Sequence, residues 1–255
     1  MSELEKTIES KLSFPHGEIR VFDSIDSTNS FLKREYDSLT NWSIAVSLEQ
    51  TGGKGRRGHT FSSQRGGVYF SILLKPQNHI SDLQTLTACV GVCVCDAVIE
   101  LTGLSPQIKW VNDILIDKKK ICGILCESVI SPAGEVEYII CGIGINIDRP
   151  KNDFPVEIAE TAGALSDFCI PPNKGELVAG IVNRFHGFAP NFASADFIDS
   201  YRLYSCVVGN SVKVFRGGEN TDAFAVAIDD DASLLIRRED GVIEKLNSGD
   251  ISIKL

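Results

Sequence analysis

From Glu49 to Phe61 the chain reads Glu-Gln-Thr-Gly-Gly-Lys-Gly-Arg-Arg-Gly-His-Thr-Phe, with four glycines and three cations in the seven positions Gly52 to Gly58. No acidic residue occurs from Gln50 through Ser81. Glycine lets a backbone approach a ligand closely and reach positive φ, and backbone N–H groups with guanidinium forks cradle anions. A phosphate- or carboxylate-bearing ligand is therefore expected at this loop, and its flanks restrict the fold that carries it. Gly53, Gly55 and Gly58 spell G-x-G-x-x-G, but the dinucleotide fingerprint and the P-loop both need a helix after the last glycine. Here His59 stands where a P-loop needs lysine, and an irregular polar stretch leads to the β-rich run Val68-Tyr-Phe-Ser-Ile-Leu-Leu74. The expectation is a strand–loop–strand anion cradle.

Periodicity around the cradle predicts a strand over 17–25, a helix over 28–36 and a strand over 42–48. Asp26, Ser27, Thr28 and Asn29 over-supply that helix start with capping side chains. Residues 82–101 read as a long buried helix with Asp82 in its first turn. Strands follow over 107–111, 114–116 and 121–128, with a turn at Asp117-Lys-Lys-Lys120. A hairpin turn at Ser131-Pro-Ala-Gly134 then leads into a strand over 138–147. Helical patterns run over 157–205, broken at Ile170-Pro-Pro-Asn173. From Cys206 short strands alternate with turn signals such as Arg216-Gly-Gly218 and Ser248-Gly-Asp250. The prediction is an α+β chain: residues 1–205 form a mixed β-sheet with helices packed on one face, and residues 206–255 form a small β-barrel.

The 255 residues carry a formal net charge of −9, which argues against broad nucleic-acid binding and makes the basic loop a local device. No stretch is expected to reach the ~20 apolar residues of a membrane span, so the expectation is a soluble cytoplasmic protein with no membrane partner. Eight cysteines lie mostly in apolar runs without C-x-x-C spacing. They read as buried reduced thiols and not as a zinc site.

Three further segments carry chemistry. Lys109-Trp-Val-Asn-Asp113 sets a cation, an aromatic, an amide and a carboxylate between apolar strands. Such a group suits a nucleotide's phosphates and their Mg²⁺, which takes only one or two carboxylates, or else it is a strand-to-turn junction. In Lys118-Lys-Lys120, Lys118 and Lys119 read as solvated, whereas Lys120 opens a strand and faces the sheet surface. Cys141-Gly-Ile-Gly-Ile-Asn-Ile147 puts two glycines and an asparagine in a strand. Glycine there implies close approach of a ligand or backbone, and a buried Asn146 needs partners from the fold or a ligand.

Together these pieces resemble the biotin protein ligases. The family's glycine–arginine loop is similar to Gly53-Lys-Gly-Arg-Arg-Gly58, its Lys-Trp-Pro-Asn-Asp motif to Lys109–Asp113, and its lysine before a glycine-bearing strand to Lys120-Ile-Cys-Gly123. Its Ser-Thr-Asn helix start looks like Ser27-Thr28-Asn29, and its Gly-x-Gly-x-Asn strand looks like Gly142–Asn146. The resemblance runs from about residue 20 to the C-terminus. It implies a biotin/lipoate ligase-like catalytic domain with an SH3-like C-terminal barrel. With fewer than 20 residues before the first strand, the expected type is monofunctional, without an N-terminal DNA-binding domain and without DNA as a partner.

The implied reaction joins biotin to a lysine on a biotin carboxyl-carrier domain through biotinyl-5′-adenylate, with ATP and biotin as substrates and Mg²⁺ as the ion. By resemblance Ser27, Thr28, Asn29, Gln50, Lys54, Gly55, Arg56, Lys120 and Gly123 bind biotin, with Lys120 and Arg56 catalytic. Arg56, Arg57, Phe61, Lys109, Trp110, Asn112, Asp113 and Asn146 hold ATP or the adenylate, with Asp113 nearest a metal. Lys54, Val111, His59 and Phe61 depart from the family's usual arginine, proline, basic residue and tryptophan, which loosens the expected grip on ATP without removing a required group. The loop Thr51–Phe61 is expected to order over the adenylate. The alternatives are a lipoate or octanoate ligase and a non-catalytic biotin-binding adapter; the oligomeric state, homodimer included, is left open.

Overall fold

The computed structural model describes residues 1–75, 83–131, 136–189, 196–216, 219–247 and 249–253. The expected first-turn role of Asp82, the hairpin tip at 132–134 and the turn residues 217, 218 and 248 lie outside the described residues.

The chain opens with a helix that the periodicity reading missed, α1 (Glu3–Lys11). Its start is a reciprocal cap: the Glu5 N–H donates to Ser2 Oγ and the Ser2 N–H to Glu5 Oε2. Ile8, fully buried, fastens it to the body. Next come β1 (Ile19–Phe22), α2 (Thr28–Glu35) and β2 (Ser43–Ser47). β3 (Val68–Leu74) occupies the predicted span and is buried throughout. The long helix α3 (Leu83–Thr102) precedes four strands, β4 (Gln107–Lys109), β5 (Asp113–Ile116), β6 (Lys119–Ile130) and β7 (Val136–Ile145). α4 (Lys174–Phe188) and α5 (Ile198–Tyr204) complete this part. The expected helix over residues 157–161 is replaced by turns, and a short 3₁₀ segment spans Leu165–Asp167.

The seven strands order as β1-β2-β3-β7-β6-β5-β4, with β1 and β2 parallel and every other pair antiparallel. Side chains alternate across each strand, and the two faces of β6 take different helices. Ile124, Ile108 and Ile114 reach Gly91 of α3, while Leu125 and Glu127 receive the Asn29 amide of α2. Helices therefore cover both faces, correcting the expectation of one. α2 closes a smaller core of Leu32, Leu39, Ala45, Leu73, Tyr138 and Ile140. On the other side α3 lies between the sheet and α4.

α3 also corrects the membrane reading: its 20 residues are long and apolar enough to cross a bilayer by length and composition. Two-thirds of the stretch (67%) is buried inside the fold, so the core uses that apolar character.

The remaining strands are β8 (Ser211–Arg216), β9 (Glu219–Ile228), β10 (Leu234–Arg238), β11 (Ile243–Leu246) and β12 (Asp250–Ile253). They form an antiparallel sheet ordered β11-β10-β9-β8-β12. Among the described residues no pairing joins β11 to β12, so the expected barrel appears as an open five-stranded sheet. It is docked on the larger part through Trp110, whose buried indole N–H donates to the Ala232 carbonyl at 2.9 Å.

Candidate functional site

A cleft of about 810 Å³, counting its open mouth, lies on the α2 face of the sheet, within the size range of small-molecule sites. Its floor is made by two glycines. Gly123 and Gly144 are register partners on β6 and β7, and a Cβ on either would meet the Phe61 ring at 2.7 and 2.5 Å. The ring lies flat-bottomed against backbone because no side chain intervenes. By resemblance Phe61 is expected to hold the nucleotide; the structure seats its ring on this floor, with Lys120 Nζ 5.6 Å from its centroid.

One end of the cleft is uncharged and built on the start of α2. Ser27 is the N-cap, its hydroxyl accepting from the Ser30 N–H. The Thr28 N–H donates to Gln50 Oε1 at 2.8 Å, and Gln50 Nε2 donates to Ser63 Oγ at 2.9 Å. Asn29 lies over the sheet, with Ser71 and Glu127 at its two ends. Thr28, Asn29 and Ser71 are all buried, so each polar atom must find its partner in the protein or in a ligand.

The other end is charged. Lys120 Nζ pairs with Asp113 Oδ1 at 2.7 Å. Arg56 Nη1 reaches Asn112 Oδ1 at 3.4 Å and the Gly249 carbonyl at 3.2 Å. Lys54 and Gly55 line the cleft beside it. The glycine loop is a small hairpin: Gly53 O accepts from the Phe61 N–H, Gly55 N–H donates to His59 O, and Lys54 bridges Thr60. A Cβ at Gly53 would lie 2.4 Å from the Phe61 carbonyl oxygen, which explains glycine there.

Four expected ligand-binding residues do not line the cleft. Trp110 is buried and docks the small sheet. Lys109 ends β4 at the sheet edge, opposite Asp113. Asn146 Nδ2 donates to the Gly163 carbonyl at 2.9 Å, because the strap formed by residues 162–165 crosses there and satisfies the buried amide. Together with Thr161 the same strap bonds the Lys120 backbone, N–H to Thr161 O and C=O from the Gly163 N–H, and Asn146 Nδ2 also lies 3.5 Å from the Lys120 carbonyl. Arg57 adopts φ 52° and donates to the Phe215 carbonyl of the small sheet.

The Lys109–Asp113 motif is braced on every side. Tyr201 of α5 donates its hydroxyl to the Val111 carbonyl at 3.1 Å, and burial pushes that phenol well above its ordinary value, with the Arg56 charge opposing. Asn112 Nδ2 donates to the Ile124 carbonyl at 2.9 Å. Burial likewise raises the Cys122 thiol beneath Lys120; all eight cysteines are free, but only five are buried, Cys126, Cys169 and Cys206 being half-buried, which corrects the expectation of buried thiols throughout. No cluster of three or more metal-ligating side chains occurs among the described residues. Asp113 is the single carboxylate among the cleft-lining residues, which suits an ion held mainly by phosphate oxygens.

Sequence reasoning missed Ser63, Ser71 and Glu127. A serine amid the apolar run Val68–Leu74 and an acid in the middle of β6 were the available signals.

Residues 21–146 match the Biotin/lipoate A/B protein ligase family, and residues 207–254 match the Biotin protein ligase C terminal domain. The bifunctional ligase/repressor BirA of Bacillus subtilis is 31% identical over 226 residues, covering 82% of this chain; the chain spans 66% of that protein's length. A biotin–[acetyl-CoA-carboxylase] ligase of Paracoccus denitrificans is 25% identical, covering 83% of this chain and 91% of its own. Among solved structures, the biotin protein ligase of Aquifex aeolicus in complex with biotin and ATP superposes with a TM-score of 0.80 at 27% identity, covering 93% of this chain and 98% of that one.

Proposed function

The chain belongs to the Biotin/lipoate A/B protein ligase family, with its Biotin protein ligase C terminal domain, and we propose that it is an ATP-dependent biotin–protein ligase. The observation that carries this reading is one cleft with an uncharged hydrogen-bonding end at Ser27, Thr28 and Gln50 and a cationic end at Lys120 and Arg56, separated by a two-glycine floor. Biotin has the matching polarity: a neutral urea at one end and a carboxylate at the other.

In the first step a biotin carboxylate oxygen attacks the α-phosphorus of ATP, and pyrophosphate leaves with the bonding pair. Lys120 holds the carboxylate and, afterwards, the acyl oxygen, where charge develops in the second step. Arg56, held between Asn112 and Gly249, faces the phosphates; cations fixed beforehand at such points stabilise the transition state without reorganising. Asp113, released from Lys120 as the carboxylate arrives, would hold a Mg²⁺, and the ion would supply charge that neutralises the phosphates. In the second step a lysine amine on a biotin carboxyl-carrier domain attacks the acyl carbon, AMP leaves, and the amine loses a proton.

The test is ATP–pyrophosphate exchange by the purified protein, with biotin or lipoate as the acid. Exchange that requires biotin, followed by label transfer to a carrier domain, is the expected outcome. Exchange driven by lipoate instead, or none with either acid, would overturn the reading.

A further inference from the structure

A carboxylate outside the cleft sets the hydrogen-bonding sense of residues inside it. Asn29 Nδ2 donates to Glu127 Oε2 at 2.8 Å and to the Leu125 carbonyl at 3.3 Å. A carboxylate and a backbone carbonyl only accept. The amide is therefore held with Oδ1 turned away from them, where Ser71 Oγ lies at 2.6 Å. Oδ1 also only accepts, so Ser71's single proton is committed to it. Ser71 Oγ is 2.7 Å from Thr28 Oγ1 as well, and with Ser71 committed, the proton in that contact is Thr28's. None remains for Gln50 Oε1, 3.1 Å from Thr28 Oγ1; that oxygen takes the Thr28 backbone N–H at 2.8 Å instead. Thr28 consequently shows the cleft lone pairs alone.

Burial keeps this chain of bonds from reorganising. Ser71, at the centre of the relay, is 0% exposed, so its proton has no partner but Asn29 Oδ1 and Thr28 Oγ1; Thr28 and Asn29, 3% and 5% exposed, open only toward the cleft. Asn29 lies so close over β7 that a Cβ at Gly142 would sit 2.2 Å from its Oδ1. The strand glycine therefore belongs to the same arrangement.

We propose that Glu127, acting through Asn29 and Ser71, is a positioning residue that makes Thr28 an obligate acceptor, so that the cleft selects a ligand with an N–H donor at that point. A cyclic urea meets the requirement. A sulfur, a methylene or an ether oxygen there leaves the Thr28 lone pairs unmatched. The inference rests on the biotin reading and adds what decides the ligand's ring chemistry.

The probes are biotin and its two analogues in which one or the other ring N–H is replaced by oxygen, titrated calorimetrically into the wild type, Ser71→Ala, Glu127→Gln and Glu127→Asp. The wild type is expected to prefer biotin over one of the two analogues by roughly ten- to hundredfold, the cost of an unmatched buried acceptor. Ser71→Ala releases the Thr28 proton, and Glu127→Gln leaves only the longer bond to the Leu125 carbonyl to oppose turnover of the Asn29 amide; in both, that preference should fall, to about threefold or less in Ser71→Ala. Glu127→Asp, still acceptor-only, should keep it. A merely structural role would weaken biotin and analogue alike and leave their ratio unchanged. An unchanged ratio in Glu127→Gln, or a wild type without preference, overturns the relay while the ligase reading stands. A wild type that binds no biotin overturns both.

Discussion

Lys120 and Asp113 form an ion pair of 2.7 Å inside the cleft, each side chain mostly but not fully shielded from solvent. A break in the β5–β6 register between Ile114 and Leu115 offsets the two strands beside this pair, and Thr161 and Gly163 grip Lys120's backbone. The lysine is therefore held by its main chain while its side chain is free to exchange one carboxylate for another.

Replacing Lys120 by Ala should lower biotin-dependent pyrophosphate exchange by about 10²–10³, the loss typical of one fixed donor at a developing oxyanion. Lys118→Ala should be close to neutral. Lys119 differs from the solvated reading, since its Nζ donates to the Glu160 carbonyl; Lys119→Ala should cost some stability but keep exchange near wild type. Equal loss of activity across the three lysines would defeat the assignment.

The glycine floor makes a prediction about packing. Gly144→Ala would place a methyl 2.5 Å from a Phe61 ring carbon, an overpacking cost of roughly 1–3 kcal/mol. Phe61→Ala removes the atom it strikes. Thermal melts of the wild type, both single variants and the double variant should show strong non-additivity, with Phe61→Ala relieving much of the Gly144→Ala penalty. Additive changes would mean that the ring does not rest on the floor.

The motifs were legible because each breaks a local rule: cations among glycines, glycines and an asparagine inside a strand, four capping side chains at one helix start. Such violations mark sites, and Ser27, Thr28, Asn29, Gln50, Arg56, Asn112, Asp113 and Lys120 do converge on one cleft. What the pattern could not convey is which side of a strand a residue faces. Trp110 and Asn146 lie within functional motifs, yet their polar atoms turn to Ala232 and Gly163. Ser71 and Glu127 stand out as polar residues in their strands, but their partner, α2 laid across β3 and β6, is not visible in the pattern. Helix α1 escaped because its signal is a cap, Ser2 with Glu5, attached to a single fully buried residue, Ile8.

His186 gives a pH dependence. Its ring stacks on Phe14 at 3.6 Å between centroids and meets Trp42 edge-on, and burial lowers its affinity for a proton below the ordinary value of 6.5. The unfolded chain thus binds that proton more readily than the native one, so this contribution to stability is complete above about pH 6.5 and is lost as the pH falls below it. His186→Phe keeps the stack and removes the charge. The melting temperature of the variant relative to wild type should rise between pH 7.5 and 5. A gap that stays constant over this interval would show that the ring's protonation is not linked to folding.

Trp110 connects the small sheet to the loop over the cleft. Its indole N–H is bonded to Ala232, while Arg56 and Arg57 reach from the glycine loop to the carbonyls of Gly249 and Phe215 in the same small sheet. Trp110→Phe leaves a buried carbonyl without its donor, a loss of about 1–3 kcal/mol at the joint that holds those two carbonyls in place. The loop should loosen with the joint. Tryptic cleavage after Lys54 or Arg57 should run faster in Trp110→Phe than in wild type, and biotin with ATP should slow it in both, since bound phosphates offset the mutual repulsion of Lys54, Arg56 and Arg57. Cleavage at these positions that is indifferent to the substitution would show that the loop takes its order from the larger sheet alone, and cleavage indifferent to the ligands would remove the loop from the nucleotide site.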